Sequence, residues 1–396
     1  MANSNLTNAK RAKNDEFYTQ YADIQKEIEA YLEFDADAFR GKVVYCNCDD
    51  PYESNFFRYF VLNFNKLGLK QLITTSYKPS PVANTQLELY GDDQTLTKSK
   101  GRPKISANKF IINEVHEIAG DGEFNLKSVA KKLKANKNNE WTPLEGDGDF
   151  RSDECISLLK QSDIVVTNPP FSLFREYVKQ LFDYIKRCVI IGSMNAITYK
   201  EIFPLIKNNK LWLGNGFHAG NAYFFTPNTR DFASGVYDEK TGLVKFRNVC
   251  WFTNLDHDRR HQPLPLMTMK ENLKYSKHKE IKGKKKYDKY DNYDAIEVPF
   301  TDAIPSDYDG VMGVPISFLD KYNPDQFEIL GTSDNGLVDD KFKTTPGLTK
   351  EFVNDYYEAG GTGAYKEGNP TAGLYANNVA KMAYKRIFIK HKTPTK

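Results

Sequence analysis

A doubly wound α/β domain followed by a smaller β-rich domain is the fold class that this sequence predicts, and three observations predict it. Over the first 255 or so residues, short β-branched apolar runs alternate with amphipathic helical stretches. The first strand, helix and strand close within about 35 residues, the spacing of a right-handed crossover in a parallel sheet. Beyond Leu255 the alternation gives way to a lysine-rich run and to short strand candidates cut by Gly, Pro, Asn and Asp.

Each element has its own signal. Between residues 18 and 34, Tyr21, Ile24, Ile28, Tyr31 and Leu32 fall on one stripe of a helix. Lys42 to Cys46 (KVVYC) reads as a buried strand, and Asp49-Asp50-Pro51 turns the chain into an aromatic helix with Ser54 as its N-cap and Gly68 at its end. QLITTSY, residues 71 to 77, is the second strand. Residues 78 to 145, with Pro79, Pro81, KSKGRPK at 98 to 104 and a lysine-rich helix at about 126 to 137, read as an insertion. Alternation resumes with DIVVT (163 to 167), a helix bearing Leu173, Phe174, Tyr177, Val178, Leu181, Phe182 and Ile185, and CVIIGS (188 to 193). KLWLG (210 to 214), NAYFFT (221 to 226) and NVCWFT (248 to 253) are expected as the remaining strands of the same sheet. The division is thus 1–255 and 256–396, the latter carrying GVPISFLDKY, FEILG and YKRIFIKHK as short strands.

Composition bounds the function. With 396 residues, 40% of them hydrophobic, the chain can bury a core, and 55 Lys+Arg against 52 Asp+Glu excludes a polybasic, histone-like binder while leaving room for local basic patches. The five cysteines show no zinc-type CxxC spacing, and their odd number suits a reducing cytoplasm. The N-terminal stretch lacks a signal-peptide apolar core and the longest apolar runs, such as Val189 to Ile191, fall far short of a membrane span, so a cytoplasmic protein with no membrane partner is expected.

The most informative residues are Asn168-Pro169-Pro170-Phe171, directly after the DIVVT strand and before a helix that Ser172 can cap. Ligand chemistry in an open α/β sheet sits at the carboxyl ends of its strands, which is where this tetrapeptide falls. The exocyclic amine of adenine is a poor nucleophile because its lone pair is delocalised into the ring. A fixed pair of acceptors drawing on both N–H bonds returns electron density to the nitrogen: Asn168 can offer its side-chain oxygen and Pro169 a carbonyl held still by two rings of locked φ. Phe171 can stack on the face of a base that has been taken out of the duplex. With an activated sulfonium methyl as electrophile, positioning and electrostatics do the work and no metal is required. The same four residues can equally serve as a rigid strand-to-helix turn.

Further candidates line the same edge. Phe17-Tyr18-Thr19 can border a cofactor pocket or start an ordinary aromatic core. Asp49 and Asp50 can hold an amino group or shape an Asx-Pro turn. In Gly146-Asp147-Gly148-Asp149-Phe150 an Asp can accept from a cofactor amine, or the stretch is a plain Gly/Asp loop.

Taken together, NDEFYTQYADIQKEI (14 to 28), CNCDDPYESNFF (46 to 57), GDGDFRSDEC (146 to 155), DIVVTNPPFSLF (163 to 174) and GVPISFLDKYNPDQFEILG (313 to 331) resemble the EcoRI-type adenine-specific DNA methyltransferases over most of the chain. The resemblance implies a Rossmann-like SAM-dependent methyltransferase domain with a smaller C-terminal β-rich target-recognition domain. It implies S-adenosyl-L-methionine as donor, N6 of a flipped-out adenine in a specific double-stranded DNA site as acceptor, a restriction-modification setting, and action as a monomer. Residue by residue, Asn168, Pro169, Pro170 and Phe171 match the catalytic motif. Phe17, Tyr18 and Thr19 match the element beside the methionine end of the cofactor, and Asp149 or Asp147, with Phe150, the acidic position near its adenine. Two departures stand out. CNCDDP replaces the usual glycine-rich turn, and Thr74-Thr75-Ser76 stands where an acidic residue usually holds the ribose hydroxyls.

DNA contacts are expected mainly in 256–396. The nine lysines between 270 and 289 suit either phosphates or a solvated linker. Lys100-Gly101-Arg102-Pro103 suits a minor-groove hook or a loop. An RNA or protein-amide methyltransferase, or a catalytically silent DNA-binding decoy, are the rival readings.

Overall fold

The computed structural model of the chain describes residues 18–48, 54–76, 107–116, 133, 135–217, 221–225, 235–290, 294–333, 348–368, 373–376, 378–382 and 385–392. They belong to two compact units, 1–194 with 213–257, and 195–212 with 258–396. The KSKGRPK segment and most of the helix expected at 126–137 lie outside the described residues. No described helix is long and apolar enough to cross a membrane.

The strands of the first unit are β1 (Tyr18–Thr19), β2 (Val43–Cys46), β3 (Gln71–Thr75), β4 (Asn108–Ile112), β5 (Glu140–Pro143), β6 (Ile164–Thr167), β7 (Arg187–Ser193), β8 (Trp212–Leu213), β9 (Asn221–Phe225), β10 (Tyr237–Asp238), β11 (Leu243–Arg247) and β12 (Val249–Thr253). Eight of them form one sheet in the order β5-β4-β3-β2-β6-β7-β12-β8. Its centre, β3-β2-β6-β7, is parallel. Both flanks are antiparallel, β4 and β5 on one side and β12 on the other. Strands such as VVYC and IVVT are buried at every residue because helices cover both faces. On one face, α1 (Tyr21–Phe34) and α2 (Asn55–Leu62) bury Ile24, Ile28, Phe56, Phe57 and Phe60 against Val44, Leu72, Val166 and Ile191. Each such side chain contributes about 1.5–3 kcal/mol through removal from water. On the other face lie α3 (Asp153–Gln161) and α4 (Phe174–Asp183), the latter setting Phe174 against Phe252 at 5.1 Å between centroids.

Two expectations are corrected. The stretch read as an insertion lends the sheet two antiparallel strands, β4 and the edge strand β5. NAYFF, expected in that sheet, instead forms a second, four-stranded antiparallel sheet in the order β1-β9-β11-β10. The reason is legible in its alternation: Ala222 and Phe224 are buried while Tyr223 and Phe225 are exposed, the pattern of a strand with one wet face.

In the second unit a four-stranded sheet runs β13 (Ile296–Glu297), β14 (Met312–Pro315), β18 (Arg386–His391), β15 (Phe327–Thr332), burying Val314, Phe327, Ile387 and Ile389. A hairpin of β16 (Gly373–Ala376) and β17 (Val379–Met382) accompanies α6 (Lys350–Glu358). The lysine run starts in α5 (Met269–Tyr275), which opens with a Thr268/Glu271 capping box. Lys277, Lys284 and Lys289 pair with Asp302, Asp288 and Asp294 at 2.7, 2.8 and 2.7 Å, so part of the run is spent on the unit's own carboxylates.

Candidate active site

Asn168 follows the last residue of β6, and two hydroxyls tie this strand end to its neighbours. Thr167 donates through its hydroxyl to the carbonyl of Asn47, the residue just past β2, and Tyr177 from α4 donates to the Asn47 side-chain oxygen. The strand before the tetrapeptide and the helix after it are therefore anchored on one residue. Burial pushes the Tyr177 phenol well above its ordinary pKa, which keeps it a proton donor.

Within the tetrapeptide Pro169 is buried, and Asn168, Pro170 and Phe171 are half-buried. The Asn168 side-chain oxygen is hidden from water. The Leu173 amide donates to the Pro170 carbonyl at 2.9 Å, closing a 3₁₀ turn over Phe171–Leu173. Ser172 lies inside that turn and does not cap α4, whose first turn carries no side-chain cap. Phe171 packs against the cluster that α1 and α2 share with the sheet.

The Gly146 to Phe150 loop lies beside the end of β3. Gly148 has φ +81°, and a Cβ there would stand 2.0 Å from the Ser76 carbonyl oxygen, so only glycine lets the loop close on that strand. The Asp149 amide donates to Asp147 Oδ1 at 3.0 Å. Asp149 itself accepts from the Arg151 amide (2.9 Å) and from the Arg151 guanidinium at both oxygens (2.9 and 2.7 Å). Those bonds hold its carboxyl below the usual range and use most of its acceptor sites. The Phe150 ring is buried edge-on against Tyr177, centroids 5.0 Å apart, and acts as a core wedge.

β1 pairs antiparallel with β9, Tyr18 opposite Phe225 and Thr19 opposite Phe224. Thr19 thereby shares the buried face of Phe224, while Tyr18 lies against Phe225, centroids 6.4 Å apart. Asn55, the first residue of α2, donates its amide to the Thr19 carbonyl at 2.7 Å and fixes β1 beside that helix start. At the end of β3, Thr75 pairs its hydroxyl with Tyr45 (3.0 Å) and Ser76 accepts from the Asn108 amide (2.9 Å). Thr19 Oγ1 and Thr74 Oγ1 remain, both buried and with no hydrogen-bond partner among the described residues. Phe17, Asp49 and Asp50 lie outside the described residues.

A family model described as adenine-specific methyltransferase EcoRI matches residues 5–392. This chain belongs to that methyltransferase family. Among its relatives are the type II methyltransferase M.EcoRI of Escherichia coli, 44% identical over 83% of this chain and 89% of the relative, and M.MpnI of Mycoplasma pneumoniae, 36% identical over 81% and 83%. M.MgeORF184P of Mycoplasma genitalium is 34% identical over 81% and 84%. No solved structure matches the chain.

For an adenine-specific methyltransferase the residues that sequence reading passed over are positional ones. Asn47 lies inside CNCDDP, where a polar residue directly after four buried strand positions is its only sequence signal. Tyr177 was legible only as one member of an apolar stripe, and Asn55 only as the residue after a cap. Their partners are 130 and 36 residues away in sequence, and no local pattern encodes them.

Proposed function

We propose that this methyltransferase transfers the methyl group of S-adenosylmethionine to N6 of an adenine that it has extruded from a specific site in double-stranded DNA, acting as a monomer within a restriction-modification system. The observation that carries the reading is the tetrapeptide Asn168 to Phe171, anchored through Asn47 at the carboxyl end of β6 in a sheet whose parallel centre ends on the same edge. The relatives named type II methyltransferases support it.

Asn168 Oδ1 accepts one N6–H bond and the Pro169 carbonyl the other, which localises the lone pair on nitrogen, while Phe171 stacks on the ring. The cofactor supplies a methyl group already activated on sulfonium sulfur. Asn168 and the Pro169 carbonyl would hold the two N6 protons, one of which would leave to water past the same acceptors once nitrogen has taken the methyl group. Geometry, not acid-base power, sets the rate. The buried hydroxyls of Thr19 and Thr74, which have no hydrogen-bond partner among the described residues, fit a polar cofactor, with Thr74 in the place where a ribose would be held. Asp147 and Asp149 suit its adenine amine, and Phe17, Tyr18, Asp49 and Asp50 complete the set. Residues 256–396 would read the target sequence.

Incubating the chain with duplex DNA and labelled S-adenosylmethionine, then digesting the DNA for mass spectrometry, is expected to yield N6-methyldeoxyadenosine. Label found only in RNA or in protein amide would overturn the reading, and calorimetric failure to bind the cofactor would mark a silent DNA binder. Gly148→Ala is expected to weaken cofactor affinity by about tenfold or more, an effect of about 1.4 kcal/mol, by lifting the Asp147–Asp149 loop off Ser76. Calorimetric titration reads it, and an unchanged affinity would remove this loop from the cofactor site.

A further inference from the structure

The small sheet β1-β9-β11-β10 has one dry and one wet face. Its dry face, Ala222, Phe224, Val244 and Phe246, belongs to the core of the first unit. Its wet face follows from the register: Tyr223 opposite Lys245, Asn221 opposite Arg247, Phe225 opposite Leu243. Tyr223 and Phe225 are 40% and 44% exposed, large aromatic areas to leave in water side by side on one strand. The Lys245 ammonium lies over the Tyr223 ring at 5.7 Å. Among the described residues neither Lys245 nor Arg247 has a carboxylate partner, and Asp238, at the far edge, accepts from the Lys240 amide of its own turn.

We infer that this face holds the DNA strand beside the extruded base. Lys245 and Arg247 take its phosphates, and Tyr223 and Phe225 take the faces of its unstacked sugar or base. The inference rests on the functional reading above and goes beyond it, because it assigns DNA contact to the catalytic unit through residues outside every motif. The charge is complementary to a phosphate backbone, and interleaved aromatic and basic side chains are the chemistry that single-stranded nucleic acid selects. Position agrees: β1, which carries Thr19, is hydrogen-bonded to the strand bearing Tyr223 and Phe225, so the face begins one strand from the proposed cofactor site.

The test compares the full chain with Lys245→Ala/Arg247→Ala and with Tyr223→Ala, measuring DNA affinity over a salt series, S-adenosylmethionine affinity and methylation. The double variant is expected to bind DNA about tenfold more weakly, with the slope of log K against log salt reduced by about 1.8, two contacts at about 0.9 each. Tyr223→Ala should lose about fivefold or more with the slope kept. Cofactor affinity should stay at the wild-type value, which also reports intact folding, and Lys245→Arg/Arg247→Lys should restore the slope. If the wild-type chain methylates DNA while the double variant keeps wild-type affinity and slope, the assignment of this face is overturned and the functional reading stands. A wild-type chain that does not methylate DNA overturns both. Substitutions that convert a dimer to a monomer without touching DNA affinity would give the face to a second copy of the chain, also overturning the proposal.

Discussion

Asn168→Ala is expected to lower the rate constant of methyl transfer by about 10²–10³-fold or more, with the dissociation constants for DNA and for S-adenosylmethionine within about twofold of wild type. In the proposed reading the Asn168 side-chain oxygen accepts from the reacting amine, and that hydrogen bond would strengthen as positive charge grows on N6. Its loss is therefore felt in the transition state and hardly in the ground state, so kcat falls and KM does not. Asn168→Asp should retain more activity than alanine, since a carboxylate still accepts from the amine. Single-turnover methylation with stopped samples separates chemistry from product release. Full activity of Asn168→Ala would show that the tetrapeptide is only a turn.

Gly214→Ala is expected to destabilise the first unit by about 3 kcal/mol, the upper range for forcing a methyl group into a packed interior. Glu27 is a fully buried carboxylate on α1, and it accepts from the Asn215 amide (2.9 Å), the Gly216 amide (3.0 Å) and the Tyr31 hydroxyl. A Cβ on Gly214 would lie 2.0 Å from Glu27 Oε1, 2.8 Å from the Trp251 Cβ and 2.9 Å from the Tyr31 oxygen. None of the three can yield. Glu27 cannot move without stranding its buried oxygens and the amides that donate to them, Trp251 is on β12 in the sheet, and Tyr31 donates to the same side chain. A urea titration followed by tryptophan fluorescence should show the midpoint falling at constant slope. A midpoint within error of wild type would mean that the turn after β8 relaxes freely, and the anchoring role of Glu27 would be lost with it.

Glu27 also shows where reading a sequence stops. It sits in a helix whose apolar stripe was legible at Tyr21, Ile24, Ile28 and Tyr31, and from the pattern alone a glutamate there belongs to the solvent face. Its partners are nearly 190 residues away, on a turn whose amides point inward only once β8 and β12 have paired. The second sheet is a milder case. The alternation in NAYFF was visible, but reading it as one more strand of the main sheet ignored what alternation means, a face left in water.

By itself the sequence determined the parallel centre of the sheet, the helices that cover it and the tetrapeptide at the end of β6. Each of these is set by a local period or by a turn chemistry that only a few residue types can provide. Tertiary structure alone decided which polar groups became anchors: Asn47 between Thr167 and Tyr177, Asn55 on Thr19, Arg151 on Asp149, Glu27 under Gly214. It also decided which hydroxyls, Thr19 and Thr74, stay buried with no hydrogen-bond partner among the described residues. The physical reason is range. Hydrophobic periodicity is written in neighbours three or four residues apart, whereas a buried polar group is tolerated only if a partner arrives from wherever the fold brings it.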